Sequence, residues 1–333
     1  VINRTILLGV TLLLASLLAP TSDVARSAAS GGTYIALGDS IAVGTGSSLP
    51  RTRGYVPLVH DLISRHARSE ITLHNLSRNG ETVDSFRENG QLTQLQDLLT
   101  QLTSSNAPII AITLSLGGNE MLKAQGADSS ARQTQLDEFS ASYPTLLTEI
   151  RNLVGPDTPI VVTTYYDLTN GDPNEVQSDA WWVQQFNAVI QQSASDAHAT
   201  VADVSGVFAG HISDYTLWPI DVHPNNAGHE AIADEVWRVL GIDTVAPTID
   251  LTATTEATRS TPTIRFSASD DTGIADFTLT AESATIYGPY SSSEDEYVVL
   301  VIMATGAKQA QVTVEARDAA GNTTTASTTV QLP

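Results

Sequence analysis

The residues best suited to chemistry stand in Tyr34-Ile-Ala-Leu-Gly-Asp-Ser40. Thr33 to Leu37 is a short apolar run that reads as a buried strand, breaks at Gly38-Asp39 and leaves Ser40 just past the break. The carboxyl ends of buried strands are where open α/β sheets keep their reacting groups. A serine hydroxyl is a weak nucleophile unless a base takes its proton and N–H donors receive the negative charge that develops. The competing reading of the same residues is local: Asp39 and Ser40 cap the helix that follows.

The chain offers seven histidines as candidate bases. His60, His66, His74 and His198 lie on or near helix or strand segments with no motif around them. His211 falls in the loop after the fifth expected strand, and His229 lies one turn into the last helix. His223 stands just before that helix, in Trp218-Pro-Ile-Asp-Val-His-Pro224. A loop entering the last helix can swing an imidazole over the sheet edge, so placement favours His223. Spacing alone does not settle the choice.

The elements that must position these groups alternate along the chain. Strands are expected at Thr33–Leu37, Ile71–Leu76, Ile109–Leu116, Pro159–Thr164 and Thr200–Asp203. Helices are expected at Tyr55–Arg65, Gln91–Leu102, Gln133–Leu153, Trp181–His198 and Pro224–Leu240, the last stopped by Gly241. This alternation predicts an α/β fold, a parallel sheet with helices on both faces. The first three strands end in Gly-containing loops that carry Ser40, Gly80 and Asn119. Parallel strands bring those ends to one edge, so the three loops meet at one cleft.

Gly-Asp-Ser40, Gly80, Gly-x-Asn119 and His223-Pro, in this order, resemble the four sequence blocks of the SGNH (GDSL-like) hydrolases. The resemblance covers about Thr33 to Leu240. It implies a three-layer α/β/α fold of flavodoxin type and carboxylic ester hydrolysis at a serine. Carried over, it makes Ser40 the nucleophile and His223 its base. The Ser40 and Gly80 N–H groups and the Asn119 amide become the oxyanion hole. Imidazole titrates near neutrality and can take and return the serine proton, and a glycine brings the backbone to the oxyanion with no Cβ in the way. Two positions depart from the family pattern. Glu120 stands where the third block usually has Asp, an acid expected to support the loop. The triad acid normally lies three residues before the histidine, where this chain has Ile220; Asp221 lies two before it. Either the loop bends so that Asp221 reaches His223, or a backbone carbonyl such as that of Ile220 orients the ring. The mechanism calls for no cofactor and no metal.

The chain carries 16 Lys and Arg against 37 Asp and Glu, a formal charge of −21, which repels nucleic acid and anionic lipid surfaces. It has no cysteine, which excludes disulfides, thiolate metal sites and a lipidated cysteine anchor. Residues 1–29 read as a signal peptide: Arg4, an apolar run from Ile6 to Ala19, then small residues suited to cleavage after Ser27 or Ala29. The run is short for a membrane span, so the mature protein is expected to be secreted with no stable membrane anchor. Val at position 1 reads as a non-ATG start, pointing to a bacterial source.

The hydrolase-type domain is expected over 30–242, followed by a linker at 243–247. Composition then turns Thr-, Ser- and Ala-rich, and 248–333 predicts a small antiparallel β-sandwich. Its strands are expected at Thr263–Ser267, Phe277–Ala281, Tyr297–Ile302 and Gln311–Ala316, with turns at Asp270–Gly273, Gly288-Pro289 and Asp318–Asn322. Ala246-Pro-Thr248 and Asp318-Ala-Ala-Gly-Asn322 resemble the immunoglobulin-like modules of secreted bacterial enzymes, which implies contact with a cell surface or glycan. Asp270, Asp271, Asp318 and Asn322 offer oxygen ligands for calcium, plain turns being the alternative.

The loops after Ser40 and before Trp181-Trp182, with Met121-Leu122, are candidates for an apolar acyl pocket, the alternative for the tryptophans being helix packing. The resulting expectation is an exported bacterial serine esterase for lipid-like or lysophospholipid-like esters. The rivals are a carbohydrate acetylesterase and an inactive surface-binding protein.

Overall fold

A computed structural model describes residues 31–254, 262–292 and 296–331; the expected signal peptide at 1–29 lies outside the described residues. The first domain runs β1 (Thr33–Gly38), α1 (Ser40–Val43), α2 (Pro50–Arg53), α3 (Tyr55–Ala67), β2 (Thr72–Asn75), α4 (Val83–Glu88), α5 (Gln91–Ser105) and β3 (Ile109–Ser115). It continues through α6 (Gly118–Ala124), α7 (Ser129–Val154), β4 (Ile160–Thr163), α8 (Asp179–Asp196), β5 (Thr200–Ala202), α9 (Val204–Phe208), α10 (Ile212–Tyr215) and α11 (Asn226–Leu240).

The five strands form one parallel sheet in the order β2-β1-β3-β4-β5, the flavodoxin-like order. Helices cover both faces, as right-handed crossovers require: α3 packs with α11, and α7 with α8. This is why β1 is buried along its whole length, with Tyr34, Ile35, Ala36 and Leu37 fully enclosed. Helix α3 turns Tyr55, Val56, Val59, Leu62 and Ile63 to the core, and α11 turns Ile232, Ala233, Val236 and Trp237.

The chain reverses direction across the sheet between β1 and β3, so the crevice of the fold opens at the ends of these two strands. Ser40 follows one and Asn119 the other. All five expected strands form, each with its ends within one residue of expectation. The expected helices also form, but α7 and α8 begin earlier than hydrophobic spacing suggests. Asp128 and Ser178 cap them, accepting from Ala131 N and Trp181 N, and add a polar first turn that carries no apolar signal. Conversely, α11 begins after Pro224 because Asn225 is its cap.

The remainder folds as β6 (Thr248–Thr254), β7 (Thr263–Ser269), β8 (Ile274–Glu282), β9 (Ala284–Ser291), β10 (Glu296–Met303), β11 (Gln309–Asp318) and β12 (Thr323–Gln331). Antiparallel sheets β6-β7-β10-β9 and β12-β11-β8 share a core of Ile264, Phe266, Val299, Val301, Val312, Val314 and Val330. One expectation fails. Gly288-Pro289 is no turn but lies inside β9, where the pairing with β10 slips in register between Val298 and Leu300. An edge strand tolerates proline at such a bulge.

Turns of this module reach back to the first domain. Arg65 Nη1 donates to Thr272 O at 2.6 Å, Thr272 Oγ1 to Asp243 at 3.0 Å, and Asn322 Nδ2 to the carbonyls of Asp243 and Val245 at 3.3 Å. Among the described residues no helix is long and apolar enough to cross a membrane.

Candidate active site

The turn that presents Ser40 is built by its neighbours. Gly38 has φ +120°, and a Cβ there would lie 1.9 Å from the Ser115 carbonyl, so only glycine lets β1 leave the sheet this close to β3. Asp39 then caps α1 through Ile41 N at 3.0 Å. The capping reading of Asp39 and the chemical reading of Ser40 therefore coexist: the cap holds the serine at the first position of the helix.

His223 Nε2 lies 2.7 Å from Ser40 Oγ, across 183 residues of sequence. Its other ring nitrogen, Nδ1, lies 2.5 Å from Asp221 Oδ1. Of the two candidate orienting groups, the carboxylate is thus the one in contact. The two-residue offset works because Asp221 closes an Asx turn: Oδ1 also accepts from His223 N at 3.1 Å, which folds the carboxylate back beneath the ring. The loop is clamped at its base by the Thr216–Pro224 bridge and the Leu217 N to His223 O bond, and Tyr166 donates to Val222 O at 2.7 Å. Burial pushes the Asp221 carboxyl up, but the hydrogen bonds from the His223 ring and from two backbone N–H groups, with the ring's charge, outweigh it. The carboxyl sits below its usual range.

The other histidines go elsewhere. His229 is fully buried, and Tyr55 N donates to its Nδ1, so Nε2 carries the proton and donates to Thr45 O at 3.0 Å. His211 stacks on Tyr215. His66 lies between Asp243 and Asp271, at 3.8 and 3.6 Å.

Ser40, Asn119 and His223 line a single open cleft; Gly80 does not. Gly80 joins the site through its neighbour, because Asn119 Nδ2 donates to Glu81 O at 2.8 Å. A Cβ on Gly80 would meet nothing within 4 Å, so clearance is not what requires glycine there; its φ of +75° is. Neither the Ser40 nor the Gly80 N–H has a partner among the described residues. Glu120 Oε1 accepts from Val83 N at 2.7 Å, tying the Asn119 segment to the loop that carries Gly80.

Two site residues carry no sequence signal. Gln91, fully buried, grips Gly38 from both sides (N to Oε1 2.7 Å, Nε2 to O 3.1 Å) and donates to Glu81 at 2.8 Å. It links the Ser40 turn to the Gly80 loop, yet in the sequence it only opens a leucine-rich helix. Tyr165 donates from its hydroxyl to Asp39 Oδ2 at 2.5 Å and is indistinguishable in sequence from a core tyrosine.

The rest of the cleft is mainly apolar: Ile41, Met121, Leu122, Trp182, Val183 and Phe186 line it. Trp182 thus serves the cleft as well as helix packing, while Trp181 stands edge-on against it. The loop at 44–50 lines none of it, because that segment packs instead toward the His223 loop, with Ser48 N bonded to Asn226.

Asp243, Asp270 and Asp318 bring carboxylate oxygens within 4.8 Å of one another at the edge of the β-module, and carboxylate oxygens of Asp243 and Asp271 lie equally close to a ring nitrogen of His66. Those of Asp270 and Asp318 also close turns onto Thr272 and Asn322.

Two buried groups titrate across the same range with opposite signs. Burial pushes Asp39 up from 3.8 to about 7, against the pull of its Tyr165 and Ile41 hydrogen bonds. Burial pushes His229 down from 6.5 to about 4. Asp39 therefore contributes most to stability below pH 3.8 and loses that contribution as pH rises to about 7. His229 contributes fully above pH 6.5 and loses it as pH falls to about 4. The two shifts are of similar size and oppose each other, so the unaltered protein should melt at nearly constant temperature from pH 4 to 6.5. Asp39→Asn should make the melting temperature climb with pH over that window, and His229→Gln should make it fall. Matching slopes in both variants would contradict this.

A family model described as GDSL-like lipase/acylhydrolase matches residues 36–231. Among solved structures, the lipase Lip_vut3 from a goat rumen metagenome superposes with a TM-score of 0.53 at 21% identity, covering 64% of this chain and 99% of its own. Axe2, an acetylxylan esterase from Geobacillus stearothermophilus, superposes with a TM-score of 0.50 at 22% identity, covering 64% and 96%. At this identity the likeness is one of fold. No curated protein matches by sequence.

Proposed function

Because the chain belongs to the family of GDSL-like lipases and acylhydrolases, we propose that it is an exported serine esterase that takes the acyl group of a lipid-like carboxylic ester onto Ser40. The observation that carries this reading is the hydrogen-bonded row Ser40 Oγ, His223, Asp221 at the mouth of an apolar cleft. Asp221 keeps the proton of the neutral ring on Nδ1, which leaves the Nε2 lone pair facing the hydroxyl. As Oγ attacks the ester carbonyl, Nε2 takes its proton. The oxygen that becomes anionic is received by the N–H groups of Ser40 and Gly80 and the Asn119 amide. Asn119 has a second N–H besides the one held by Glu81 O. Each such donor is worth on the order of 3 kcal/mol in the transition state. When the C–O bond breaks, His223 returns the proton to the leaving alcohol. Water, deprotonated by the same nitrogen, then attacks the acyl-serine, and Ser40 leaves as the restored hydroxyl.

In this reading residues 1–29 direct export and are removed, 30–242 hydrolyse the ester, and 243–247 lead into an immunoglobulin-like module at 248–333 that holds the enzyme near a cell surface or glycan.

A second reading, a carbohydrate acetylesterase, draws on one observation. A second groove, whose lining includes the amides of Asn170, Gln184, Gln185 and Gln191, adjoins the cleft, sharing Tyr166, Asp167 and Val183 with it. Amides of this kind suit sugar hydroxyls. Rates on acetyl and octanoyl aryl esters and on acetylated xylan separate the two. The lipid-like reading expects the octanoyl ester to be preferred; release from acetylated xylan outpacing both aryl esters would overturn it.

A further inference from the structure

One charged pair interrupts the apolar lining of the cleft. Arg132, in the first turn of α7, places Nη1 2.7 Å from Asp179 Oδ1, at the first position of α8, and both residues line the cleft. The Arg132 side chain is only 11% exposed, and its Nε donates to Ala127 O at 3.1 Å, just beyond the end of α6. A second tie joins the same segments: Ser129 Oγ bonds to Gln177 Oε1 at 3.0 Å.

The direction of the cleft follows from α6. Asn119 stands at its start beside the reacting groups, Met121, Leu122 and Ala124 line the cleft along it, and Gln125 and Arg132 come after its end. At the helical rise, the last residue of α6 lies about 8 Å along the helix from Asn119, and Arg132 is tied just beyond it through Ala127 O. An acyl chain laid along α6 from Ser40 passes Met121, Leu122 and Ala124 before it reaches the pair.

A chain long enough to press on the pair strips water from both charges and offers no hydrogen bond in return, a penalty that apolar contact does not repay. We infer that the Arg132–Asp179 pair is the stop that sets the longest acyl group the cleft accepts. The inference rests on the esterase reading and names the residues that fix its chain-length range.

The test compares kcat/KM for butanoyl, octanoyl and dodecanoyl aryl esters in the full mature protein. The unaltered enzyme should prefer octanoyl to dodecanoyl. In Arg132→Leu/Asp179→Leu the dodecanoyl-to-butanoyl ratio should rise at least tenfold, each newly buried methylene adding about fourfold. The charge-reversed pair, Arg132→Asp/Asp179→Arg, should keep the ratio within threefold of the original. Should the double leucine variant fail to fold, Arg132→Met supplies the same readout, with a smaller rise. An unchanged ratio in a folded leucine or methionine variant would overturn the inference while leaving the esterase reading intact. So would a rise of the same size in the charge-reversed protein. No turnover of the butanoyl ester by the unaltered protein would overturn both.

Discussion

Alanine at position 40 is expected to lower kcat on a soluble aryl ester by about 10⁴-fold or more while the protein stays folded. In the proposed mechanism the proton that His223 Nε2 receives comes from Ser40 Oγ, 2.7 Å away, and without that oxygen nothing carries the acyl group. The oxyanion donors survive the substitution, so a small rate above water should remain. The hydroxyl is a minor packing element of a partly buried residue, so melting temperature should change little. Steady-state rates, with thermal melting as the control for folding, check this.

The second large effect belongs to Asp221. Asp221→Asn should lower kcat by about 10² to 10⁴-fold, with KM changed far less. An asparagine amide can donate to Nδ1 of His223, which moves the ring proton to Nε2 and turns the base into a donor facing Ser40. The loss should fall short of that from Ser40→Ala, since the Asp221 side chain is 43% exposed and water can partly replace the carboxylate. Near-normal rates would instead hand the orienting role to a backbone carbonyl such as that of Ile220.

How far the sequence foretold this molecule depends on range. Alternating apolar runs placed the five strands and the principal helices, because burial against a sheet imposes a period that residues such as Ile109–Ser115 display openly. Short helices such as α2 and α4 escaped, since four to six residues carry too little periodicity. The polar first turns of α7 and α8 escaped because caps, not apolar spacing, begin them. In the site, Ser40, Asn119 and His223 were legible as motifs, and the structure brings all three to one cleft. The Asp221 contact was open, because its reach depends on an Asx turn that two intervening bonds do not announce. Gln91 and Tyr165 were illegible: each bonds a residue more than fifty positions away, and nothing local marks them as polar members of the site. Gly288-Pro289 misled, as a dipeptide that marks turns also fits a bulge on an edge strand.

The central claim is that Ser40 itself becomes acylated. The unaltered protein, mixed with a butanoyl aryl ester, quenched in acid within the first turnovers and digested for mass spectrometry, should carry one butanoyl group on the peptide containing Ser40, and none in His223→Ala. An acyl group found on another residue, or full ester turnover in Ser40→Ala, would contradict it.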